Sequence, residues 1–311
     1  MNARRAEIKL IFEGADISAD INRYLLSMTY TDNEEDKTDD LQLSIDDREW
    51  VWLGDWLNTP TAGKSAEIAA VIIQKNWEST GKDRVLDCGA FEVDTVDGSG
   101  PPAKVTIKAT SIPYKTALRT QKNTKAWEKI KLSEIANEIA GKNGLACLFE
   151  SSTDPFYDRK EQMQESDITF LQRLCKNAGI SLKVTAKMIV LFDAADYEQK
   201  DAITTIKRGA ANVSRYSFST SLHDAAFSSC HVSYTDPKSQ TTIEYTYTPR
   251  GADKSGQVLE VNEKVSTREE ARQLAMKRLR QKNKSEYKAS FSLSGDPRLV
   301  AGVTVEVSGY G

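Results

Sequence analysis

Residues 130–144 read Ile-Lys-Leu-Ser-Glu-Ile-Ala-Asn-Glu-Ile-Ala-Gly-Lys-Asn-Gly. Ile130, Leu132, Ile135, Ala136, Ile139 and Ala140 recur at three- and four-residue spacing, which puts them on one face of a helix. Gly141 and Gly144 can take the left-handed backbone that ends it. A second helix is predicted from Ser166, whose hydroxyl can cap free amides, through Ile168, Leu171, Leu174 and Cys175 to a stop at Gly179. Two strands follow, Ile180 to Val184 and Met188 to Phe192. The middle of the chain, residues 119–202, is therefore an α+β piece.

On its N-terminal side the period of the apolar residues changes from about 3.6 to two. Ile8, Leu10 and Phe12, then Leu26, Met28 and Tyr30, then Leu41, Leu43 and Ile45 each alternate with other residues, and 85–96 and 105–109 continue the pattern. Polar or Gly/Pro-rich stretches separate these runs at 32–40, 58–63 and 97–102, so residues 1–118 read as short strands of a barrel or sandwich. Strands return in 203–311, at 231–234, 243–247, 258–261, 290–294 and 303–307, interrupted by one helix. That helix opens with a capping box at Ser266-Thr267-Arg268-Glu269, buries Ala271, Leu274, Ala275 and Leu279, and turns Arg272, Lys277, Arg278, Arg280 and Lys282 to water. The two β-rich ends share a strand, Pro/Gly turn, strand order, which would fit an internal duplication.

With 311 residues, 39% of them hydrophobic and 28% charged, the chain can build cores for two or three domains. The longest apolar run, 68–73, is far too short to span a bilayer, and the opening MNARRAEIK has no apolar leader segment, so no stable membrane association is expected. A net charge of -3 argues against a protein built mainly to grip nucleic acid. Cys88, Cys147, Cys175 and Cys230 are widely spaced, which reads as reduced, buried thiols.

No signature of catalysis emerges. Ala62-Gly63-Lys64-Ser65 mimics the end of a phosphate loop but lacks its first glycine, Asn58 standing there. Gly98-Ser99-Gly100 is not a nucleophile elbow. His223 and His231, with Asp224 and Cys230, match no zinc spacing, and the pairs Glu165/Asp167 and Asp46/Asp47 read as solvated or helix-end charge. No catalytic, cofactor or metal residue is assigned. The acidic stretch 32–40, with Asp32, Glu34, Glu35 and Asp36, is read as a surface loop or a docking site for a basic partner. Trp50, Trp52 and Trp56 follow it and fill a core or serve the same interface, Trp50 and Trp52 pointing to one side if the segment is extended.

The chain resembles the phage late control D family, tail hub proteins of contractile phages related to the N-terminal part of type VI secretion spikes. The likeness rests on Trp127, on Leu132 to Ala140 with Gly144-Leu145, and on Gln164-Glu-Ser166-Asp167-Ile-Thr-Phe170-Leu171-Gln-Arg173-Leu174 with Ala178-Gly179. Gln164 stands one place nearer the Glu-Ser-Asp than in the family pattern. Cys88-Gly89-Ala-Phe91, Gly100-Pro101-Pro102 and Phe291-x-Leu-x-Gly295-Asp296-Pro297-x-Leu299-x-x-Gly302 extend the likeness. It implies a β-rich α+β fold, with two tube-like β-barrel domains at 1–118 and 203–311 flanking the α+β insert at 119–202. Family members continue past the strand at 303–309 into further strands; either those are missing here, in which case the second barrel is incomplete with an open sheet edge near its C-terminus, or the tail is not represented in this sequence. The resemblance also implies a non-enzymatic homotrimer without cofactors in the virion tail baseplate, assembled in the bacterial host cytoplasm. Three copies supply six barrels, joining the hexameric tail tube to the trimeric spike among other baseplate proteins, with transient passage of DNA through the lumen. The alternatives are a hub-associated peptidoglycan hydrolase and a cell-wall-binding module, the middle segment being faintly similar to LysM-type repeats.

Overall fold

The computed structural model describes residues 3–35, 37–52, 66–111, 117–221, 226–236, 240–252, 256–284 and 286–311. The fold is β-rich α+β, and the chain divides into two compact units. The first comprises Met1–Gln172, Leu182–Phe192 and Pro297–Val303, and the second comprises Arg173–Ser181, Asp193–Asp296 and Thr304–Gly311.

The first unit begins with β1 (Arg5–Phe12), β2 (Ala15–Asp16), a single helical turn α1 (Ser18–Ile21), β3 (Leu25–Thr31), β4 (Asp40–Asp46), β5 (Glu67–Lys75), β6 (Arg84–Ser99) and β7 (Lys104–Thr110). These form one antiparallel sheet in the order β2-β1-β5-β6-β7-β4-β3. The period-two residues Leu41, Leu43, Ile45, Val105, Ile107 and Ala109 are buried on one face, as the alternation requires. Leu10 of β1 and Met28 and Tyr30 of β3, from opposite sides of the sheet, join the same core. The Tyr30 ring lies 5.9 Å from that of Phe91 on β6, although two strands separate β3 from β6. At about 4.8 Å per strand a flat sheet would hold them about 14 Å apart, so the sheet curls around its core. Two bulges help it bend. Cys88 is an extra residue opposite Ala70 and Val71, with Gly89 at φ 87° and its amide donating to Asp87 Oδ1 at 2.9 Å, and Asp94 is extra opposite Ala109 and Lys108. Among the described residues no ladder joins β2 to β3, so the curl is not closed into the expected barrel.

After α2 (Ala117–Thr120) come β8 (Lys122–Lys131), α3 (Leu132–Lys142), β9 (Ala146–Glu150), β10 (Phe156–Ser166), α4 (Asp167–Ala178), β11 (Ser181–Val184), β12 (Met188–Phe192) and α5 (Ala194–Glu198). β8 and β10 form a ribbon, and β9 and β12 pair in parallel within the sheet β11-β12-β9. Trp127 of β8 stacks on Phe170 at 6.0 Å. Ser166 caps α4 as expected, its Oγ accepting from the Thr169 amide at 3.3 Å. Asp167, the last residue of the Gln-Glu-Ser-Asp run, is buried and accepts from Gln162 Nε2 at 2.7 Å, Asn123 Nδ2 at 2.8 Å and Lys142 Nζ at 3.3 Å. Burial opposes its charge, yet the bonds from Gln162 and Asn123 and the Lys142 ammonium together hold its carboxyl below the ordinary value. The run therefore carries a buried anion that binds β8, α3 and β10 to the start of α4.

The second unit holds β13 (Thr205–Lys207), β14 (Val213–Thr220), β15 (Phe227–Thr235), β16 (Thr242–Tyr247), β17 (Gln257–Val261), α6 (Arg268–Asn283), β18 (Tyr287–Leu293) and β19 (Glu306–Ser308). Among the described residues its strands form three separate sheets, β16-β15-β17, β14-β18 and β13-β19, and not a second closed barrel. α6 places Ala271, Leu274, Ala275 and Leu279 in one core with Cys230, Val232 and Val261. Its N-cap sits one place later than expected and the box does not close: Thr267 Oγ1 accepts from the Glu270 amide at 3.1 Å, while Glu270 Oε2 accepts from the amide of Ser266, the residue before the cap, at 2.6 Å. The helix's cations are engaged rather than simply turned to water. Lys277 Nζ pairs with Asp193 at 2.7 Å, Arg278 donates to the Lys176 carbonyl at 2.7 Å, and Arg280 pairs with Glu198. Gly179, at φ 66°, lies so close to α6 that a Cβ there would stand 2.5 Å from Lys277 Cβ. The strand expected at 303–307 enters a ladder at Glu306–Ser308; before it the Thr304 carbonyl accepts from the Ile203 amide at 2.9 Å, and the Val303 amide turns back to the Val300 carbonyl.

Ile107→Ala, at a fully buried site in the curled sheet, is expected to lower stability by about 2–5 kcal/mol in urea unfolding. Because the folded carboxyl of Asp167 is depressed, its contribution is present above the ordinary value of 3.8 and is lost as pH falls through the lower folded value. Unfolding midpoints measured from neutral pH down to that acid range should fall in the native chain and fall less in Asp167→Asn, which starts from a lower midpoint.

Candidate partner interface

The acidic stretch turns out to be fastened inward at both ends. Lys183, on β11, reaches it with its ammonium 2.6 Å from Asp32 Oδ1, 2.8 Å from the Asn33 carbonyl and 3.4 Å from Asp39 Oδ1. Asp39 also accepts from the Asn33 amide at 2.8 Å, and its own amide donates to Ser111 Oγ at 3.1 Å. Asn33 Nδ2 donates to the Thr38 carbonyl at 2.6 Å, closing the turn between β3 and β4. The second oxygen of Asp32 accepts from the Ala301 amide at 2.7 Å, holding the segment Pro297–Val303. Burial pushes the Asp39 carboxyl up, against the Asn33 bond and the Lys183 charge. Burial, aided by Asp32 and Asp39, likewise raises the Tyr30 hydroxyl above its ordinary value.

The residues expected to form one interface are thus drawn to different tasks. Asp32 is an internal tether, and Glu34 and Glu35 are half-buried and engaged in contacts. Asp36 and Trp56 lie outside the described residues, as do Ala62 to Ser65, His223 and Asp224. The segment after β4 is a turn rather than extended chain, so Trp50 and Trp52 do not share a side. The Trp50 amide donates to the Asp47 carbonyl at 2.9 Å, the residue has φ 56°, and its side chain is 73% exposed. Trp52 instead packs edge-on against Tyr24 at 5.6 Å, its amide donating to Asp47 Oδ1 at 2.7 Å. The Asp46/Asp47 pair is split in the same way, since Asp46 holds the Arg48 guanidinium at 2.8 Å.

Chemically, these groups grip and orient chain segments. The carboxylates of Asp32 and Asp39 hold an ammonium and backbone amides. His231 Nδ1 lies 2.8 Å from Thr246 Oγ1, while its neighbour Cys230 faces the core of the second unit, where burial raises the thiol to about 11. Among the described residues no three His, Cys, Asp or Glu side chains are grouped to hold a metal, and no helix is long and apolar enough to cross a membrane.

Two features were missed in the sequence. Lys183 is 151 residues from Asp32, and nothing local marks it as a partner. The aromatic face of the β14–β18 ribbon did leave a trace, since Tyr216-x-Phe218 alternates at the strand period.

The chain is similar to known proteins in sequence and in fold. At 26% identity over 186 residues, 60% of this chain aligns with the "Probable baseplate hub protein" of Escherichia phage 186, and at 29% over 187 residues an equal share aligns with that of Escherichia phage P2. In both cases the match spans 44% of the relative's length. The fold is similar to the crystal structure of the prophage MuSo2 43 kDa tail protein from Shewanella oneidensis, with a TM-score of 0.64 at 17% identity, over 98% of this chain and 89% of that one. The model of the family described as phage tail baseplate hub (GPD) matches residues 77–311, taking in the Asp167 run, Lys183 and every strand of the second unit. The chain belongs to the phage tail baseplate hub family.

Proposed function

We propose that this chain is a structural tail hub of a contractile phage or phage-like injection system, acting as a trimeric adaptor between the hexameric tail tube and the trimeric spike. The observation that carries this reading is the family match from residue 77 to residue 311. In the proposed arrangement residues 1–118 and 203–311 are the two tube-like domains and 119–202 the insert. Three copies then present six such domains to the tube and three-fold symmetry to the spike.

Several features support the reading. The first sheet is curled like part of a tube wall and left open, which suits completion by neighbouring chains. The strongest polar groupings hold chain segments together, as a scaffold's do, so the hub is proposed to work without catalysis of its own. Its place is the tail baseplate of the virion, after assembly in the host cytoplasm. A net charge of -3 favours a lumen that DNA passes without adhering. Trp50, with Glu34 and Glu35 nearby in sequence, is proposed as a contact for another baseplate protein, since an exposed tryptophan is the kind of anchor that interfaces bury.

Co-expressed with the tube and spike proteins of its own particle and imaged by electron microscopy, the chain is expected as a ring of three copies at the tube–spike junction. One or two copies, or absence from the junction, would overturn the adaptor role. Trp50→Ala is expected to weaken capture of one baseplate partner by about tenfold or more in a binding assay while leaving the chain's melting temperature unchanged.

A further inference from the structure

The β14–β18 ribbon has a partly uncovered apolar face. Its ladder pairs Tyr216 with Phe291, Phe218 with Ala289 and Thr220 with Tyr287. These side chains share one face, and Arg215, Ser217, Ser219, Lys288, Ser290 and Ser292 share the other. Tyr310 lies over the aromatic side, its ring 4.8 Å from Tyr216, 5.4 Å from Phe218 and 5.5 Å from Phe291. Even so, Tyr216, Phe218 and Tyr287 remain 43%, 51% and 71% exposed. Bonds from the Ser221 amide to the Glu286 carbonyl and from the Ser294 amide to the Asn212 carbonyl lengthen the ladder at both ends. Among the described residues no third strand joins either edge. A two-stranded ribbon is marginal by itself, and a sheet with one apolar face normally buries it.

We infer that the aromatic face of the β14–β18 ribbon is a contact between copies of this chain, which rests on the trimeric hub reading and gives that assembly a named surface. The occupant follows from area and charge. Taking about 200 Å² for a full aromatic side chain, the three exposed rings leave roughly 300–400 Å² open per copy. That is close to half of the roughly 800 Å² each partner buries in a stable interface, the remainder coming from a polar rim. Arg215 and Lys288 lie on the opposite face, so the ladder residues of the aromatic face include no cation or carboxylate, and three such faces can converge on a three-fold axis without like-charge repulsion. The two free edges are of matching length, so one copy can also extend the sheet of the next.

The test is the mass in solution of the full chain, 34.6 kDa as a single copy, measured by sedimentation over a range of concentrations. The native chain is expected to be heavier than one copy. Tyr287→Lys and Phe218→Lys should each raise the concentration needed for association by about tenfold or more, whereas Tyr287→Phe and, on the other face, Lys288→Glu should leave it unchanged. Circular dichroism identifies the variants that keep the fold, and Tyr287→Lys, at the most exposed of these positions, decides between outcomes. A native multimer left intact by Tyr287→Lys overturns the inference and leaves the hub reading standing. A native chain that is single at every concentration overturns both the inference and the self-assembling hub.

Discussion

The ammonium of Lys183 between the carboxylates of Asp32 and Asp39 is the interaction on which the first unit depends. Those side chains are largely shielded from water, and removing one member strands charge where hydration is poor, a loss of several kcal/mol in comparable buried pairs. Because Asp32 also receives the Ala301 amide, the same carboxylate secures a strand of the insert sheet and a late segment of the chain. Three stretches far apart in sequence thus meet at one polar point beside the curled sheet, and the turn between β3 and β4 owes its conformation to them.

The two units use β structure differently. In the first, an apolar face wraps around its own core, with bulges at Cys88 and Asp94 bending a long β6 that a flat sheet could not accommodate. In the second, α6 covers the β16-β15-β17 sheet, while the β14–β18 ribbon leaves much of its aromatic face exposed beside Tyr310. On the proposed hub reading, the surface left open in this way is where neighbouring chains would supply the cover.

Much of the fold was legible from the sequence because its signals are local. The helix at Leu132–Lys142 and the strand at Met188–Phe192 follow the apolar period, and Ser166 sits at its cap as hydroxyl chemistry dictates. What stayed hidden was non-local or depended on turn geometry. The acidic residues looked like free surface charge because Lys183 is remote in sequence. Trp50 and Trp52 looked like neighbours on a strand because the turn at Asp47 that parts them has no distinctive composition. The cap of α6 moved from Ser266 to Thr267 because both residues offer a hydroxyl, with Glu269 and Glu270 equally placed to answer them.

The close approach of Gly179 to Lys277 reaches beyond packing. Hydrogen as a side chain is what admits the α6 backbone there, and the same lysine reaches on to Asp193. A side chain at position 179 would therefore push on α6 and on the lysine that carries the Asp193 pair at the same time. Packing at one backbone position and charge pairing at a side chain's far end are thus set by a single residue of the helix.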